Sequence, residues 1–309
     1  MRSTFINFML IAITNLILLL LSPMILAASD LGIGAFPRSL IDATGKTLVI
    51  SSAPQRIVSQ TLATDEILLA ICPPTRIIAL SPLATDTIYS NIVTSVRQLK
   101  IHTTNNVEQI LSLKPDLILV ANYNRAETLE LLQTMGTPVL QFTQFDSIQA
   151  IESNIRLLGE AIGEEQRAEA LITKMKREIE EIRAQFPARL RPLRVLSYSP
   201  GNYVAGRHTT FDDMTKIIGV VNIASEQGIE YEAKISDEQI LTWQPDVIVT
   251  HAATSELAQV REQLLTQPTI AASRAGKAGN IVVIDERHFA AISHYLVEGI
   301  RTLALKLAD

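Results

Sequence analysis

Downstream of residue 55 the apolar positions alternate between short continuous runs and stretches with helical spacing. Arg56-Ile57-Val58-Ser59 opens a short strand, Thr64 to Ile71 reads as a helix stopped by Pro73-Pro74, and Arg76 to Leu80 reads as a second strand. Glu108 to Leu113 predicts a short helix, and Pro115-Asp116 leads into the apolar run Leu117 to Val120. Glu127 to Met135 is helical with Gly136 as its cap, and Pro138 to Phe142 is another strand. Repeated strand–helix–strand units predict a parallel sheet covered on both faces.

Ser147 to Phe186 breaks this rhythm. It contains no proline, and Ile151, Ile155, Leu158 and Ile162, then Leu171, Met175, Ile179 and Ile182, recur at helical spacing. Gly159 and Gly163 divide it, and the helix from Glu164 to Phe186 spans roughly 34 Å at 1.5 Å per residue. Such a helix can bridge two lobes or cross over within one domain. The α/β pattern that resumes after Pro187 and Pro192 favours the bridge.

The second pattern repeats the first. Arg194-Val195-Leu196-Ser197 echoes Arg56-Ile57-Val58-Ser59, and the segment Glu108 to Val120 matches Glu238 to Thr250 at an offset of 130, with seven of thirteen positions identical. A single long-range repeat of this kind predicts two similar lobes rather than a solenoid.

The amino-terminal residues follow a different pattern. Arg2 precedes a largely apolar stretch from Phe8 to Leu21, broken by Thr14 and Asn15, and Pro23 and Ala27-Ala28-Ser29 follow. This order predicts a secretory signal peptide over residues 1–28, with an uncleaved membrane anchor as the alternative. Residues 29–52 read as a polar lead-in, 53–146 as an amino-terminal α/β lobe, 147–186 as the helical linker and 187–309 as a carboxyl-terminal α/β lobe. Cys72 is the one cysteine, so no intrachain disulfide is possible. No cysteine directly follows the signal, and the expectation is a soluble periplasmic protein that is not a lipoprotein. The 309 residues carry a net charge of -5 and no Lys/Arg cluster, which sets a nucleic-acid partner aside.

The run from Arg56 through Ala63-Thr64-Asp65-Glu66-Ile67, then Glu108 to Val120, resembles the periplasmic binding domain of vitamin B12, haem and ferric-siderophore ABC importers. Tyr203 to Arg207, Phe211-Asp212-Asp213-Met214, Gly219, Asn222 and Ser236 to Asp246 continue the resemblance, which covers Ala53 to Ala308. It implies two Rossmann-like lobes with central parallel sheets, joined by one long rigid helix, that move little around a ligand held between them. It also implies a monomer without an intrinsic cofactor. Its ligand is a transported chelate (cobalamin, haem or a ferric siderophore), and its partners are a permease dimer and its ATPase.

Ligands of open α/β sheets lie beyond the carboxyl ends of the strands. The loops there offer Thr61 and Leu62, then His102 and Tyr123, in the first half. In the second half they offer Tyr203, Tyr231, Arg287, His288 and Phe289. Aromatic faces with polar tips suit a large ring-shaped ligand, and Arg287 suits a carboxylate or phosphate. Glu108 and Glu238 occupy matched places in the two halves. Helix capping accounts for either glutamate singly; in the resembling family a glutamate here on each lobe meets arginines of the permease.

Enzyme signals are thin. The chain has no P-loop, no dinucleotide fingerprint and no Gly-x-Ser-x-Gly elbow, and no residue stands out as catalytic or as a ligand of a protein-held metal. Two alternatives stay open. One is a binding protein for bare zinc or manganese, drawing on His102, His208 and His288. The other is a secreted α/β hydrolase.

Overall fold

The computed structural model describes residues 35–134, 136–188 and 192–308. The expected signal peptide, residues 1–28, lies outside the described residues. The chain first forms an antiparallel hairpin of β1 (Arg38–Ile41) and β2 (Thr47–Ile50). The expected polar lead-in thus includes a structured element. Alternation is the reason: Leu40, Leu48 and Ile50 face the core while Ile41 and Val49 stay exposed. Asp42 closes the turn by accepting from the N–H groups of Thr44 and Lys46, both at 2.9 Å.

Five strands make the first sheet: β3 (Ile57–Ser59), β4 (Ile77–Leu80), β5 (His102–Thr103), β6 (Leu117–Ala121) and β7 (Val139–Phe142). Their spatial order is β5-β4-β3-β6-β7, and all pairs are parallel. β6 is buried at every position, as an unbroken apolar run in a doubly covered sheet demands.

The second lobe contains β8 (Arg194–Ser197), β9 (Tyr203–Ala205), β10 (Val221–Asn222), β11 (Glu232–Lys234), β12 (Val247–Ala252) and β13 (Ile281–Asp285). Four of them form a parallel sheet in the order β10-β8-β12-β13, while β9 and β11 pair antiparallel as a separate ribbon. The fold is therefore α/β, with two lobes on central parallel sheets linked by helices.

The internal repeat has a structural cause. Asp116 accepts from the N–H groups of Gln55 and Arg56 at 2.7 and 2.8 Å, and its counterpart Asp246 accepts from the N–H of Arg194 at 2.9 Å. The arginines answer in kind. Arg56 Nε donates to the carbonyl of Lys114 at 3.0 Å, and Arg194 Nη1 donates to the carbonyl of Trp243 at 2.9 Å. Each lobe thus ties the start of its first parallel strand, β3 or β8, to the entrance of the neighbouring strand β6 or β12 and to the end of the helix that leads into it. The orphan carbonyls of a helix carboxyl end need such donors.

The linker comprises two helices, Ile148–Ile162 and Glu165–Gln185. Gly163 ends the first in the left-handed region at φ 74°. Gly159 does not break the helix. A Cβ there would lie 2.5 Å from the Cβ of Ala168, so glycine permits the close crossing of the two helices. Asp213 of the second lobe accepts from the N–H of Ile148 at 2.9 Å and caps the linker from outside. The final helix, Leu296–Ala308, packs on both the Glu165–Gln185 helix and the Thr210–Ile218 helix.

Candidate ligand-binding site

The carboxyl ends of both sheets face one cleft. On the first lobe the segments after β3, β4, β5 and β6 line a cavity of about 600 Å³ with Leu62, Leu83, Tyr89, Asn105 and Tyr123. On the second lobe the ends of β8, β12 and β13 line a cavity of about 510 Å³ with Ser199, Tyr203, Phe211, His251, Glu286 and Phe289. Ala290 and Ile292 line both, so the cavities adjoin. Together they exceed the ~300–1,000 Å³ of an ordinary small-molecule pocket.

Several predicted residues come together here. Thr61 lines the first cavity and caps the Leu62–Ile71 helix by accepting from the N–H of Thr64 at 3.2 Å. Tyr123 meets Phe145 edge-on, with ring centroids 5.4 Å apart. Its ring is half open to the cavity, while desolvation of the hydroxyl end pushes its pKa up to about 12. Tyr203 and Phe289 line the second cavity, and Phe289 stacks on His251 at 4.7 Å.

Others are placed elsewhere. His102 stands exposed on the edge strand β5, outside both linings. Tyr231 packs against His208 with centroids 5.5 Å apart and is also outside both linings. Arg287 turns back onto Asp285, at 3.0 Å through Nε and 2.9 Å through Nη2, and reaches Thr254 at 3.1 Å. His288 is half-buried beside the last helix, and burial lowers its pKa. Among the described residues no group of three or more His, Cys, Asp or Glu is placed to hold a metal ion. The bare-ion alternative therefore has no ligand set among them.

Sequence reasoning missed a polar chain in the second cavity. His251 Nε2 lies 3.0 Å from Ser199 Oγ, and its Nδ1 meets the Glu286 carboxylate. A carboxylate only accepts, so Nδ1 carries the proton and Nε2 accepts from the serine. The available signal was a histidine at the carboxyl end of the apolar strand β12.

Glu66 was also missed as part of the wall. Its side chain is 2% exposed, accepts from Ser293 Oγ of the second lobe, and accepts from Asn91 Nδ2 at 2.9 Å. Burial raises its pKa against those hydrogen bonds. Its neighbour Asp65 is fully buried, accepts from the Ser81 N–H at 3.1 Å, and is raised by desolvation to about 7. Glu108 and Glu238 sit exposed in the first turns of the equivalent helices Val107–Ser112 and Asp237–Trp243.

Comparison with known proteins agrees with this geometry. The family model described as periplasmic binding protein matches residues 57–288, and the chain belongs to that family. It is an extracytoplasmic solute-binding protein and not an enzyme. Membership implies a cognate permease and ATPase as partners. The chain is 29% identical over 224 residues to the uncharacterized ABC transporter substrate-binding lipoprotein YvrC of Bacillus subtilis, covering 70% of this chain and 69% of that one. It is 25% identical over 276 residues to a cobalamin-binding protein of Halobacterium salinarum, covering 87% of this chain and 74% of the relative. Among solved structures it resembles the periplasmic heme-binding protein RhuT from Roseiflexus sp. RS-1, with a TM-score of 0.67, 26% identity and coverage of 82% of this chain and 98% of that one. The expectation that the protein is not a lipoprotein is corrected here: a relative at 29% identity is a substrate-binding lipoprotein.

Proposed function

We propose that the protein captures a metal chelate between its lobes and delivers it to the permease of an ABC importer. One observation carries this reading. Two adjoining cavities at the carboxyl ends of both sheets present aromatic side chains from both lobes, Tyr89 and Tyr123 in the first and Tyr203 and Phe289 in the second. A flat or ring-shaped ligand too large for either cavity fits such a wall. The cobalamin-binding relative and the heme-binding structure support the same ligand class. Thr61, Leu62, Tyr123, Tyr203 and Phe289 are the proposed contacts. The lobes span 53–146 and 187–309, with 147–186 between them, and the protein acts as a monomer. Glu108 and Glu238 present one negative charge from each lobe to a permease dimer, which fixes register more than affinity.

The test is an absorption and mass spectrum of protein isolated from its native cell. One corrin, haem or ferric-siderophore chelate per chain is expected. Stoichiometric zinc or manganese without a chelate would replace this reading with bare-ion binding. The Ser199–His251–Glu286 chain has the bond order of an acyl-transfer triad. Ester turnover lost on Ser199→Ala would replace the binding reading with a hydrolase.

A further inference from the structure

We infer that the cleft selects a metal chelate that carries no net negative charge. The inference rests on the chelate-binding reading and narrows it. The acidic side chains that line the two cavities are Glu66 in the first and Glu232 and Glu286 in the second. Among the described residues neither lining contains a lysine or an arginine. The imidazole of His251 is bound to Glu286 and adds no free cation. Arg287, which follows Glu286 in the chain, is bound to the Asp285 carboxylate.

Several neutral donors of the wall are spent within the protein. Gln60 Nε2 donates to the carbonyls of Ser59 and Thr104, at 2.9 and 3.0 Å. Asn124 Nδ2 donates to the carbonyl of Gln60 at 3.1 Å, and Thr209 Oγ1 donates to the carbonyl of Gly206 at 2.7 Å. Two helix amino termini also face the cleft, and such termini attract anions. Each already carries acidic side chains of its own. Asp65 occupies the first turn of the Leu62–Ile71 helix, and Asp212 and Asp213 occupy that of the Thr210–Ile218 helix. Thr61 and Thr209 cap the same two ends.

A chelate bearing carboxylates or catecholates would lose its water on entry and meet carboxylates without a counter-cation. An unpaired buried charge of this kind is strongly disfavoured. An uncharged chelate with amide arms, or a cationic one, meets no such penalty. It also keeps the aromatic contacts of Tyr89, Tyr123, Tyr203 and Phe289.

Calorimetric titration of the purified protein with four probes tests the inference. Cyanocobalamin is uncharged, ferrioxamine B is cationic, and hemin and a ferric tris-catecholate are anionic. At least one of the first two is expected to bind about a hundredfold more tightly than either anion. Glu232→Lys, an exposed substitution on the wall of the second cavity, is expected to narrow that gap at least about threefold. An anion that binds as tightly as the uncharged and cationic probes overturns the charge selection and leaves chelate binding standing. A gap unmoved by Glu232→Lys counts against an electrostatic origin and overturns the inference as stated. If no probe of any charge binds, both the inference and the chelate reading fall.

Discussion

Glu66 on the first lobe accepts a hydrogen bond from Ser293 on the second, and both side chains are buried. A second contact joins the lobes, and a third ties the second lobe to the linker. Asn91 Nδ2 donates to the carbonyl of Arg287 at 3.1 Å, and Asp213 caps the linker helix at Ile148. Three ties of this kind, backed by the crossed linker helices, oppose a wide hinge. Small-angle scattering should show a radius of gyration that is nearly unchanged when ligand binds. Marked compaction would show that the ties break during capture.

Removing Ser293 Oγ leaves Glu66 buried with one partner fewer. Ser293→Ala should destabilise the protein by roughly 1–3 kcal/mol, measured by urea unfolding. It should also increase the scattering radius of the unliganded form. A stability loss without that increase would confine the contact to a local role.

Asp65 gives a pH signature. Its folded pKa of about 7 lies above the 3.8 of an ordinary aspartate, so the folded state holds the proton more tightly than the unfolded chain. The stability contributed by the protonated form is complete below about pH 4 and is lost as pH rises through 7. Asp65→Asn should flatten this decline, measured as the midpoint of urea unfolding between pH 4 and 8. A wild-type midpoint that climbs over that range with the same slope in both proteins would contradict the assignment.

Tyr123 lines the first cavity and Tyr231 lines neither. Tyr123→Ala is expected to weaken chelate binding about tenfold, equal to roughly 1.4 kcal/mol. Tyr231→Ala should change it less than about twofold. Equal losses in calorimetry would move the site toward the β9–β11 ribbon.

Glu108 and Glu238 are exposed on equivalent helices, and neither lines a cavity of the cleft. The double substitution to alanine should leave chelate affinity and the unfolding midpoint unchanged while lowering uptake in cells. Each exposed ion pair is worth only roughly 0.2–1 kcal/mol, so the effect belongs to encounter and register. Normal uptake by the double variant would remove these groups from docking.

Much of the architecture could be read along the chain. Apolar runs, prolines and helical spacing are local, and each acts on the backbone within a few residues. They placed β3, β4, β6 and β7 and both linker helices to within a few residues. The echoed pairs Arg56 and Arg194, Asp116 and Asp246 marked two lobes because the Arg N–H donates to the Asp carboxylate in each. The hairpin at Arg38–Ile50 escaped notice because its apolar positions are few and its turn is polar.

The site was only half legible. Tyr123, Tyr203 and Phe289 follow strands at their carboxyl ends, and strand direction in a parallel sheet fixes where such residues emerge. His102 follows the same rule but rides on the edge strand, and sheet order is not written in local periodicity. Ser199, His251 and Glu286 come from the ends of three strands, and Glu66 meets a serine 227 residues away. Backbone propensity acts between near neighbours and so was present in the sequence itself. The meeting of these side chains depends on how the strands order and how the lobes pack, which only the folded chain decides.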